Sequence, residues 1–432
     1  MNLEEAVAWL EAHIDYGTWA ARSARTGDVD LSLDRMRRFV GLLGDPQRGL
    51  QVVHVTGTNG KGSTSRIITR LLMAEGLRVG TYSSPHLARY NERFRIDDTD
   101  IDDASLAALL TQMAAAEATL GDRLMPFEVL TAAAYRWFAD EHVDVAVVEV
   151  GVLGRFVATN VADGRVAVVT NIGFDHTNGE GDWQSRLADE KAGIIKPGAH
   201  LVLGAIDDRL EPLFLAQRPG HVWRLHREIR IVEDRATDSG RELSVSTPWQ
   251  HLTDLQLPLH GAHQAANCAL AIGAASAFVG HGLLTDHVSR ALAAVRMPAR
   301  LEVVRRNPTV ILDGAHNPDA ARALAAALLE VPAKGRRVLI IGVLAGRDPT
   351  AMLDALDVRS FDDVIVCTPP TARARPAAEL AEAAATLGAT ARVADDVEHA
   401  VALSLAEAAP DDQLVVTGSI YLVAAARAHL VP

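Results

Sequence analysis

Apolar and polar positions follow two alternating patterns along the chain. Short runs of consecutive apolar residues are typical of strands buried on both faces, whereas apolar residues every three or four positions are typical of helices. In the first part of the chain the short runs predict strands at Val52–Thr56, Val79–Ser83, Val143–Val150 and Val166–Asn171. Helices are predicted between them, for example at Ser63–Ala74 and Glu128–Glu141. This alternation predicts α/β architecture with largely parallel sheets.

The second part of the chain begins with a change of pattern. From about residue 221 to 259, apolar and polar residues alternate in short segments that are separated by turn residues, and this pattern predicts a β-rich flank. After a helix at about Gln264–Val279 and a linker at Val295–Arg300, strands are predicted at Val310–Asp313, Val338–Val343, Val364–Thr368 and Leu414–Thr417. We therefore predict a larger domain at residues 1–297, which includes the flank, and a smaller Rossmann-like α/β domain at residues 298–432.

Composition and charge narrow the class of protein. The chain has 432 residues, of which 49% are hydrophobic and 22% charged, as in globular enzymes. Its net charge of −13 argues against a general surface for nucleic acid or anionic membrane. The acidic start at Met1–Glu5 lacks the features of a signal peptide, and no apolar run reaches membrane-spanning length. We expect a cytoplasmic protein that binds neither nucleic acid nor membrane.

A glycine-rich segment, Thr56–Thr64, joins the first of these strands to the helix that follows it. Its glycines let backbone N–H groups approach an anion, and the helix N-terminus adds the positive end of its dipole. Lys61 offers a charge to phosphates, and Ser63 or Thr64 offers a hydroxyl to Mg²⁺. The segment therefore predicts a nucleotide phosphate loop. Val55 and Gly62 depart from the standard P-loop, so the generic pattern alone leaves an ordinary strand–helix turn open.

Three residues elsewhere are candidates for a functional role, and each of them also has a plain structural explanation. Glu149 ends an apolar strand, where a buried carboxylate needs an ion pair or a cation. His176 follows Asp175 after the next strand, although a loop histidine is more often a surface residue. Lys191 lies in a helical pattern, and a solvent-facing lysine is the plain alternative. The residues alone leave these alternatives open.

Four segments together resemble one protein family. They are Gly57–Ser63, Ser83–Leu87, Asp313–Pro318 and Thr417–Ser419, and they are similar to segments of folylpolyglutamate synthases and dihydrofolate synthases of the Mur ligase superfamily. The likeness runs along nearly the whole chain. It implies that residues 1–297 bind ATP and that residues 298–432 bind an amino acid.

The resemblance also implies roles for individual residues. ATP would be bound by Thr58, Asn59, Gly60, Lys61, Gly62, Ser63, Thr64, Asn267, Arg300 and Asp313. Metal ligands would be Ser63, Glu149 and His176, and the substrates would contact Ser84, Pro85, His86, Phe127, His316 and Ser419. The catalytic residues would be Lys61, His316 and Lys191, the last of them carbamylated by CO₂.

The implied reaction joins a carboxylic acid to an amine. The acid, dihydropteroate or a reduced folate, would attack the γ-phosphate of ATP and give an acyl phosphate, which the amine of L-glutamate then attacks. Mg²⁺ would be the cofactor, with K⁺ or a second Mg²⁺ as a further cation. The chain would act as a monomer.

One segment departs from the family, and other functions therefore stay open. Between Glu149 and Asn160 the family usually has glycine and aspartate where this chain has Leu153 and Val157. A related ligase that acts on a non-folate acid is the first alternative. A nucleotide-dependent switch without ligase activity is the second, although the Asp313–Asn317 loop argues against it because a switch needs no amino-acid site.

Overall fold

A computed structural model of the chain describes residues 1–13, 32–175 and 179–431. The chain forms two compact units. The first consists of Met1–Val232, Ser244–Leu255 and Ala266–Ala294, and the second of Glu233–Leu243, Gln256–Ala265 and Val295–Pro432. The domain boundary between residues 297 and 298 stays a prediction.

The first unit contains an eight-stranded sheet. Its strands are β1 (Val52–Thr56), β2 (Val79–Tyr82), β3 (Phe94–Ile96), β4 (Thr99–Asp100), β5 (Val145–Glu149), β6 (Gly164–Val169), β7 (His200–Leu203) and β8 (His221–Arg224). They lie in the order β4-β3-β2-β5-β1-β6-β7-β8. The six neighbouring strands β2-β5-β1-β6-β7-β8 pair in parallel. At one edge of the sheet, β3 pairs antiparallel with β2, and β4 pairs antiparallel with β3.

The centre of this sheet is fully buried. Every residue of β1 and β5 is buried, as expected for parallel strands with apolar runs. The helices before residue 295 are Leu3–Glu11, Asp34–Leu42, Lys61–Ala74, Asp103–Leu120, Pro126–Asp140, Trp183–Ala192, Glu211–Leu215, Ala262–Val279 and Thr285–Ala293. Short 3₁₀ helices occur at Pro46–Gly49, Tyr90–Arg93, Ala158–Val161 and Asp208–Leu210.

A second, smaller sheet lies within the stretch in which the sequence predicts a β-rich flank. It consists of β9 (Arg230–Thr237), β10 (Gly240–Thr247) and β11 (Gln250–Leu257), in the order β11-β10-β9. The alternation of buried and exposed residues along β11 is typical of a strand with one face in the core.

The second unit contains a six-stranded sheet. Its strands are β12 (Glu302–Arg306), β13 (Thr309–Leu312), β14 (Arg337–Ile341), β15 (Asp363–Val366), β16 (Ala391–Val393) and β17 (Gln413–Thr417). The order is β12-β13-β17-β14-β15-β16, and only the β12–β13 pairing is antiparallel. The helices are Pro318–Glu330, Pro349–Ala355, Ala377–Thr386, Val397–Glu407 and Ile420–Leu430, with a 3₁₀ helix at Val358–Ser360.

The predicted α/β class, with a parallel-rich first sheet and a smaller C-terminal α/β unit, is confirmed. Element ends differ by a few residues. The strand predicted at Val166–Asn171 ends at Val169, and the helix predicted from Ser63 begins at Lys61. None of the described helices is long and apolar enough to cross a membrane.

A histidine lies in the middle of the first sheet. His54, in β1, is fully buried, and its Nε2 lies 2.9 Å from the hydroxyl of Thr159. Its Nδ1 has no hydrogen-bond partner among the residues that the structure describes. Burial, with the charge of Lys196 as a smaller cause, lowers the pKa of His54 to about 3.

This shift predicts that acid weakens the fold. The pKa of His54 in the folded chain lies below its unfolded value, so the unfolded chain binds more protons between about pH 6.5 and about pH 3. Stability is fully present above this window and falls as the pH drops through it. We expect a loss of roughly 2 kcal/mol by about pH 5 from this residue, measured by urea unfolding. His54→Gln, which keeps a donor for Thr159 but does not titrate, should flatten this part of the pH dependence. If the free energy of unfolding falls equally with pH in the wild type and in His54→Gln, the lowered pKa of His54 is contradicted.

Candidate active site

The loop after β1 is shaped by two glycines. Gly57 has a φ of +144°, and a Cβ there would lie 1.8 Å from the hydroxyl oxygen of Thr170. Gly60 has a φ of +82°, and a Cβ there would lie 2.4 Å from Oδ1 of Asn267. Glycine is therefore required at both positions, by the backbone conformation and by the lack of space. Asn267, predicted to contact the nucleotide, is thus placed beside the phosphate loop.

Residues after β6 hold this loop in place. The backbone N–H groups of Thr58 and Asn59 donate to the carbonyl and side-chain oxygens of Asn171, at 3.1 and 3.0 Å. The hydroxyl of Thr170 donates to the carbonyl of Asn59 at 2.6 Å. Because β1 and β6 are parallel neighbours, their carboxyl ends lie side by side, and the residues that follow the two strands can contact each other. The loop is therefore held in one conformation by its neighbour.

Two lysine amines converge on one carbonyl oxygen. Nζ of Lys61 donates to the carbonyl of Gly57 at 3.0 Å and to that of Thr58 at 3.1 Å. Nζ of Lys191 donates to the same Gly57 carbonyl at 3.1 Å, and the Lys191 side chain is 2% exposed. Burial, followed by the charge of Lys61, lowers the pKa of Lys191 to about 7. A substantial fraction of Lys191 is therefore an uncharged amine near neutral pH.

A carboxylate lies beside the start of the loop's helix. Glu149 is 3% exposed, and its Oε2 accepts a hydrogen bond from the backbone N–H of Ser84 at 3.0 Å. A Cβ on Gly62 would lie 3.6 Å from the same oxygen. Ser63 and Thr64 are buried at this helix start, and the hydroxyl of Thr64 has no hydrogen-bond partner among the described residues. These oxygen donors fit a hard cation such as Mg²⁺. His176 lies outside the described residues.

The predicted acid-side residues surround the end of β2. Ser84 is tied to Glu149 as described, and Pro85 and His86 follow it in the loop. The ring of Phe127 lies 5.8 Å from that of Tyr82, and a Cβ on Gly151 would lie 3.0 Å from it. Glu149 and Ser84 therefore lie at the carboxyl ends of the neighbouring strands β5 and β2, and the ring of Phe127 lies close to the end of β2.

The segment that departs from the family is compatible with the fold. Val157 is buried in an apolar cluster that also contains Val150 and Ile194, with Phe127 packed against it. An aspartate there would need a partner for its charge. Nothing in the structure explains Leu153. A pocket of about 350 Å³ borders the segment and is lined by Ser32, Leu33, Arg37, Arg155, Phe156, Asn160 and Lys196.

In the second unit, a buried aspartate organises the loop after β13. Asp313 accepts hydrogen bonds from the backbone N–H groups of Leu301 at 2.9 Å and Ala315 at 2.8 Å. A Cβ on Gly314 would lie 2.4 Å from Nη1 of Arg300. Burial lowers the pKa of the nearby His263, while Asp313 acts to raise it and Arg300 to lower it. The predicted nucleotide contacts Arg300 and Asp313 thus lie together.

The other predicted residues of this unit lie at the same strand ends. Nδ1 of His316 lies 2.9 Å from the carbonyl oxygen of Gly314, so Nδ1 carries the proton. The hydroxyl of Ser419 accepts a hydrogen bond from Leu422 N at 3.2 Å and caps the last helix. The backbone N–H group of Gly418 donates a hydrogen bond to the carbonyl of Ala315, and this bond joins the loop after β17 to the loop after β13. Carboxyl ends of parallel strands are where such sheets bind ligands.

Comparison with known proteins identifies the family. Profiles of the Mur ligase middle domain and of the Mur ligase glutamate ligase domain match residues 55–275 and 299–420. A folylpolyglutamate synthase from Lacticaseibacillus casei is 35% identical over 441 residues, covering 100% of this chain and 99% of that protein. The chain belongs to the folylpolyglutamate synthase and dihydrofolate synthase family of Mur ligases. It is therefore a ligase, and the resemblance inferred from its sequence segments is confirmed.

Two further family members match over most of their length. The dihydrofolate synthase/folylpolyglutamate synthase of Mycobacterium tuberculosis is 37% identical over 438 residues, covering 92% of this chain and 90% of that protein. A structure of Mycobacterium tuberculosis folylpolyglutamate synthase complexed with ADP is 34% identical, with a TM-score of 0.92. The match covers 100% of this chain and 98% of that one.

Sequence reasoning missed several residues that lie at the candidate sites of this chain. Thr170 and Asn171 were assigned to a strand, although they directly follow β6 and contact the phosphate loop. Their position after a strand of the α/β pattern was the signal that could have indicated them. His263 carried no such signal, because Asp313 and Arg300, whose charges act on it, are distant in sequence.

The geometry of Gly57 makes a direct prediction. Gly57→Ala should destabilise the chain by roughly 2 to 4 kcal/mol, because alanine tolerates neither the φ value nor the approach of Thr170. Nucleotide affinity should fall at least about tenfold. Gly41→Ala is the matched control, since Gly41 is helical with no atom within 4 Å of its Cβ position. Urea unfolding and calorimetric titration with ATP would measure both effects. Wild-type behaviour of Gly57→Ala would contradict the described loop.

Proposed function

We propose that this chain uses ATP to join L-glutamate to a folate-type acid, dihydropteroate or a reduced folate. The observation that carries the proposal is the pair of lysine amines on the Gly57 carbonyl, in a loop whose Gly62 lies next to the buried carboxylate of Glu149. A phosphate loop with this local positive charge suits the transfer of a phosphoryl group from ATP to a carboxylate. The class of acid is inferred from the relatives, which are named as folylpolyglutamate and dihydrofolate synthases.

The residues of the first unit would act mainly by position and charge. The backbone N–H groups from Gly60 to Ser63 and the amine of Lys61 would bind the phosphates of ATP, while Thr58 and Asn59 shape the loop through their hydrogen bonds to Asn171. The acid's carboxylate oxygen would attack the γ-phosphorus, the bond to the β-phosphate oxygen would break, and ADP would leave. Lys61 would balance the charge that develops on the transferred group. Ser84, Pro85, His86 and Phe127 would hold the acid.

We also propose a metal site at Ser63, Glu149 and His176, with Thr64 offering a further hydroxyl. The buried carboxylate of Glu149 and the unpartnered hydroxyl of Thr64, among the described residues, supply the oxygen ligands that Mg²⁺ prefers. Bound Mg²⁺ would neutralise phosphate charge. A further cation, K⁺ or a second Mg²⁺, and the monomeric state stay predictions.

The second unit would supply the amino-acid side of the reaction. Because the His316 ring holds its proton on Nδ1, the lone pair of the neutral ring lies on Nε2 and suits the N–H groups of an amine. The glutamate amine would attack the acyl carbon, and phosphate would leave from the tetrahedral intermediate. Ser419 would contact the glutamate carboxylate, and Arg300 and Asp313 would contact the nucleotide.

A second candidate function is a ligase of the same chemistry that acts on a non-folate acid. Val157 favours it, because an apolar side chain buried in a cluster with Val150 and Ile194 replaces the carboxylate that the family usually carries. The pocket beside this segment combines Phe156 with three cationic side chains. This lining suits a carboxylic acid with a flat ring, whether or not that ring is a pterin.

An acceptor-pair assay separates these functions. ATP-dependent phosphate release should require glutamate together with dihydropteroate or tetrahydrofolate, and Lys61→Met should reduce kcat at least about a hundredfold. Lys334→Ala, an exposed lysine in the second unit, is the control and should retain activity. Glutamate-dependent release only with a non-pterin acid would support the second candidate. ATP hydrolysis that is indifferent to every acid and amine would leave only a nucleotide switch.

We further propose that Lys191 is carbamylated. Its uncharged amine would add to CO₂, forming an N–C bond and releasing one proton, and the product is a carboxylate-like group. The low pKa of about 7 supports this reaction because the amine must be neutral to attack. The new negative charge would relieve the repulsion between Lys191 and Lys61.

This proposal predicts a dependence on bicarbonate. Enzyme depleted of CO₂ at about pH 6 should lose activity and regain it on addition of bicarbonate, because protonation of Lys191 reverses the reaction below its pKa. Labelled bicarbonate should give a carbamate carbon signal in the wild type and in Lys334→Ala, but none in Lys191→Ala. If Lys191→Ala retains full activity without added bicarbonate, the carbamate has no role.

A further inference from the structure

The loop after β2 contains a histidine that is held by an arginine. The Nε–H group of Arg93 donates a hydrogen bond to Nδ1 of His86 at 2.9 Å. The two residues lie at opposite ends of one short segment. Burial raises the pKa of the Tyr82 hydroxyl to about 12, while the charge of Arg93 acts to lower it. The charge of Arg93 therefore acts on a buried group of the core as well as on His86.

The identity of this donor determines the state of the ring. A guanidinium is always protonated and has N–H donors but no acceptor. Nδ1 of His86 must therefore supply a lone pair, and it cannot carry a proton in this arrangement. A histidine ring with one unprotonated nitrogen is neutral, so its single proton lies on Nε2.

The charges around His86 favour the same state. Burial, and then the positive charge of Arg93, lowers the pKa of His86 to about 4, although Glu92 acts in the opposite direction. Tyr90 packs against the ring at 4.4 Å between centroids, and the Arg93 guanidinium lies over the same tyrosine. Protonation would place two positive charges side by side.

The backbone that carries His86 is also constrained. The carboxylate of Glu92 accepts hydrogen bonds from the backbone N–H groups of Leu87, Ala88 and Arg89, at 2.7 to 2.8 Å. On the other side, Ser84 N–H is bonded to Glu149. The ring is therefore presented in one orientation as well as in one protonation state.

We propose that Arg93 is a positioning residue that keeps His86 neutral with its proton on Nε2, so that His86 donates a hydrogen bond to a carbonyl or carboxylate oxygen of the acid substrate. The assignment of the acid as ligand rests on the proposed function; the assignment of the proton does not. His86 in this state neither removes nor supplies a proton during the reaction, and it binds the acid without adding charge.

The proton can be located in the substrate-free chain by nitrogen NMR of histidine-labelled protein. His86→Gln assigns the signal. In the wild type, His86 should show the Nε2–H form and should not titrate above about pH 5. In Arg93→Met, which removes the donor, both neutral forms should appear and the pKa should rise by about one unit or more toward 6.5. Arg93→Lys keeps a charged donor and should restore the wild-type form in part.

A matched control removes the same charge elsewhere in the loop. Arg89→Gln deletes an exposed guanidinium that pairs with Asp103, and it should leave the His86 signal unchanged. A proton on Nδ1 in the wild type would overturn the proposal, and that measurement needs no variant to fold. An unchanged titration in folded Arg93→Met would also overturn it.

Kinetics test the second part of the proposal. In Arg93→Met the KM for the acid should rise about threefold to tenfold and become pH-dependent between about pH 5 and 7, with kcat changed less than about twofold. A pH-independent KM equal to that of the wild type would contradict the contact with the acid. If no folate-type acid supports phosphate release, the proposed function fails, while the NMR result still decides the state of His86.

Discussion

The first unit's candidate site depends on the close approach of two loops at the carboxyl ends of β1 and β6. The pairing of Thr56 with Val169 brings Gly57 against the Thr170 hydroxyl, where a side chain on residue 57 has no space. Once the loops meet, Asn171 holds the backbone of Thr58 and Asn59 through three hydrogen bonds. The direction of the Gly57 carbonyl, and with it the meeting point of the two lysine amines, follows from this contact.

This arrangement concentrates positive charge inside an acidic protein. The net charge of −13 describes the whole chain, but the field at a buried loop is determined by the few groups within several ångströms. Two amines on one oxygen repel each other, and burial removes the water that would screen them. Lys191 responds with a lowered pKa, which reduces the repulsion. The remaining positive charge and the helix N-terminus favour an anion at this place, and Glu149 favours a cation beside it.

Much of the architecture could be predicted because its signals are local. The apolar runs of β1 and β5 indicate buried parallel strands, and the glycines after β1 indicate the loop; the structure contains all of these elements. The end of β6 was predicted two residues too far, because Thr170 and Asn171 directly follow its apolar run but contact the phosphate loop. The partners of Asn267 and His263 could not be predicted, because they depend on how segments distant in sequence pack. The contact of Arg93 with His86, seven residues away, depends on the conformation of an irregular loop. The valine at position 157 is visible in the sequence, but only its burial in the apolar cluster that contains Val150 and Ile194 shows how an apolar residue is accommodated there.

The two histidines of the candidate sites show how neighbours give one residue type two opposite roles. Both are loop histidines after a strand, and nothing in their local sequence distinguishes their protonation. His86 faces an arginine donor, so its Nδ1 accepts and its Nε2 carries the proton. His316 faces the carbonyl of Gly314, so its Nδ1 donates and the lone pair of the neutral ring lies on Nε2. Carboxylates and carbonyls need donors, whereas an attacking amine needs an acceptor for its N–H groups. The polarity of each ring therefore matches the substrate proposed for its unit, and in both cases a single hydrogen bond to Nδ1 determines it.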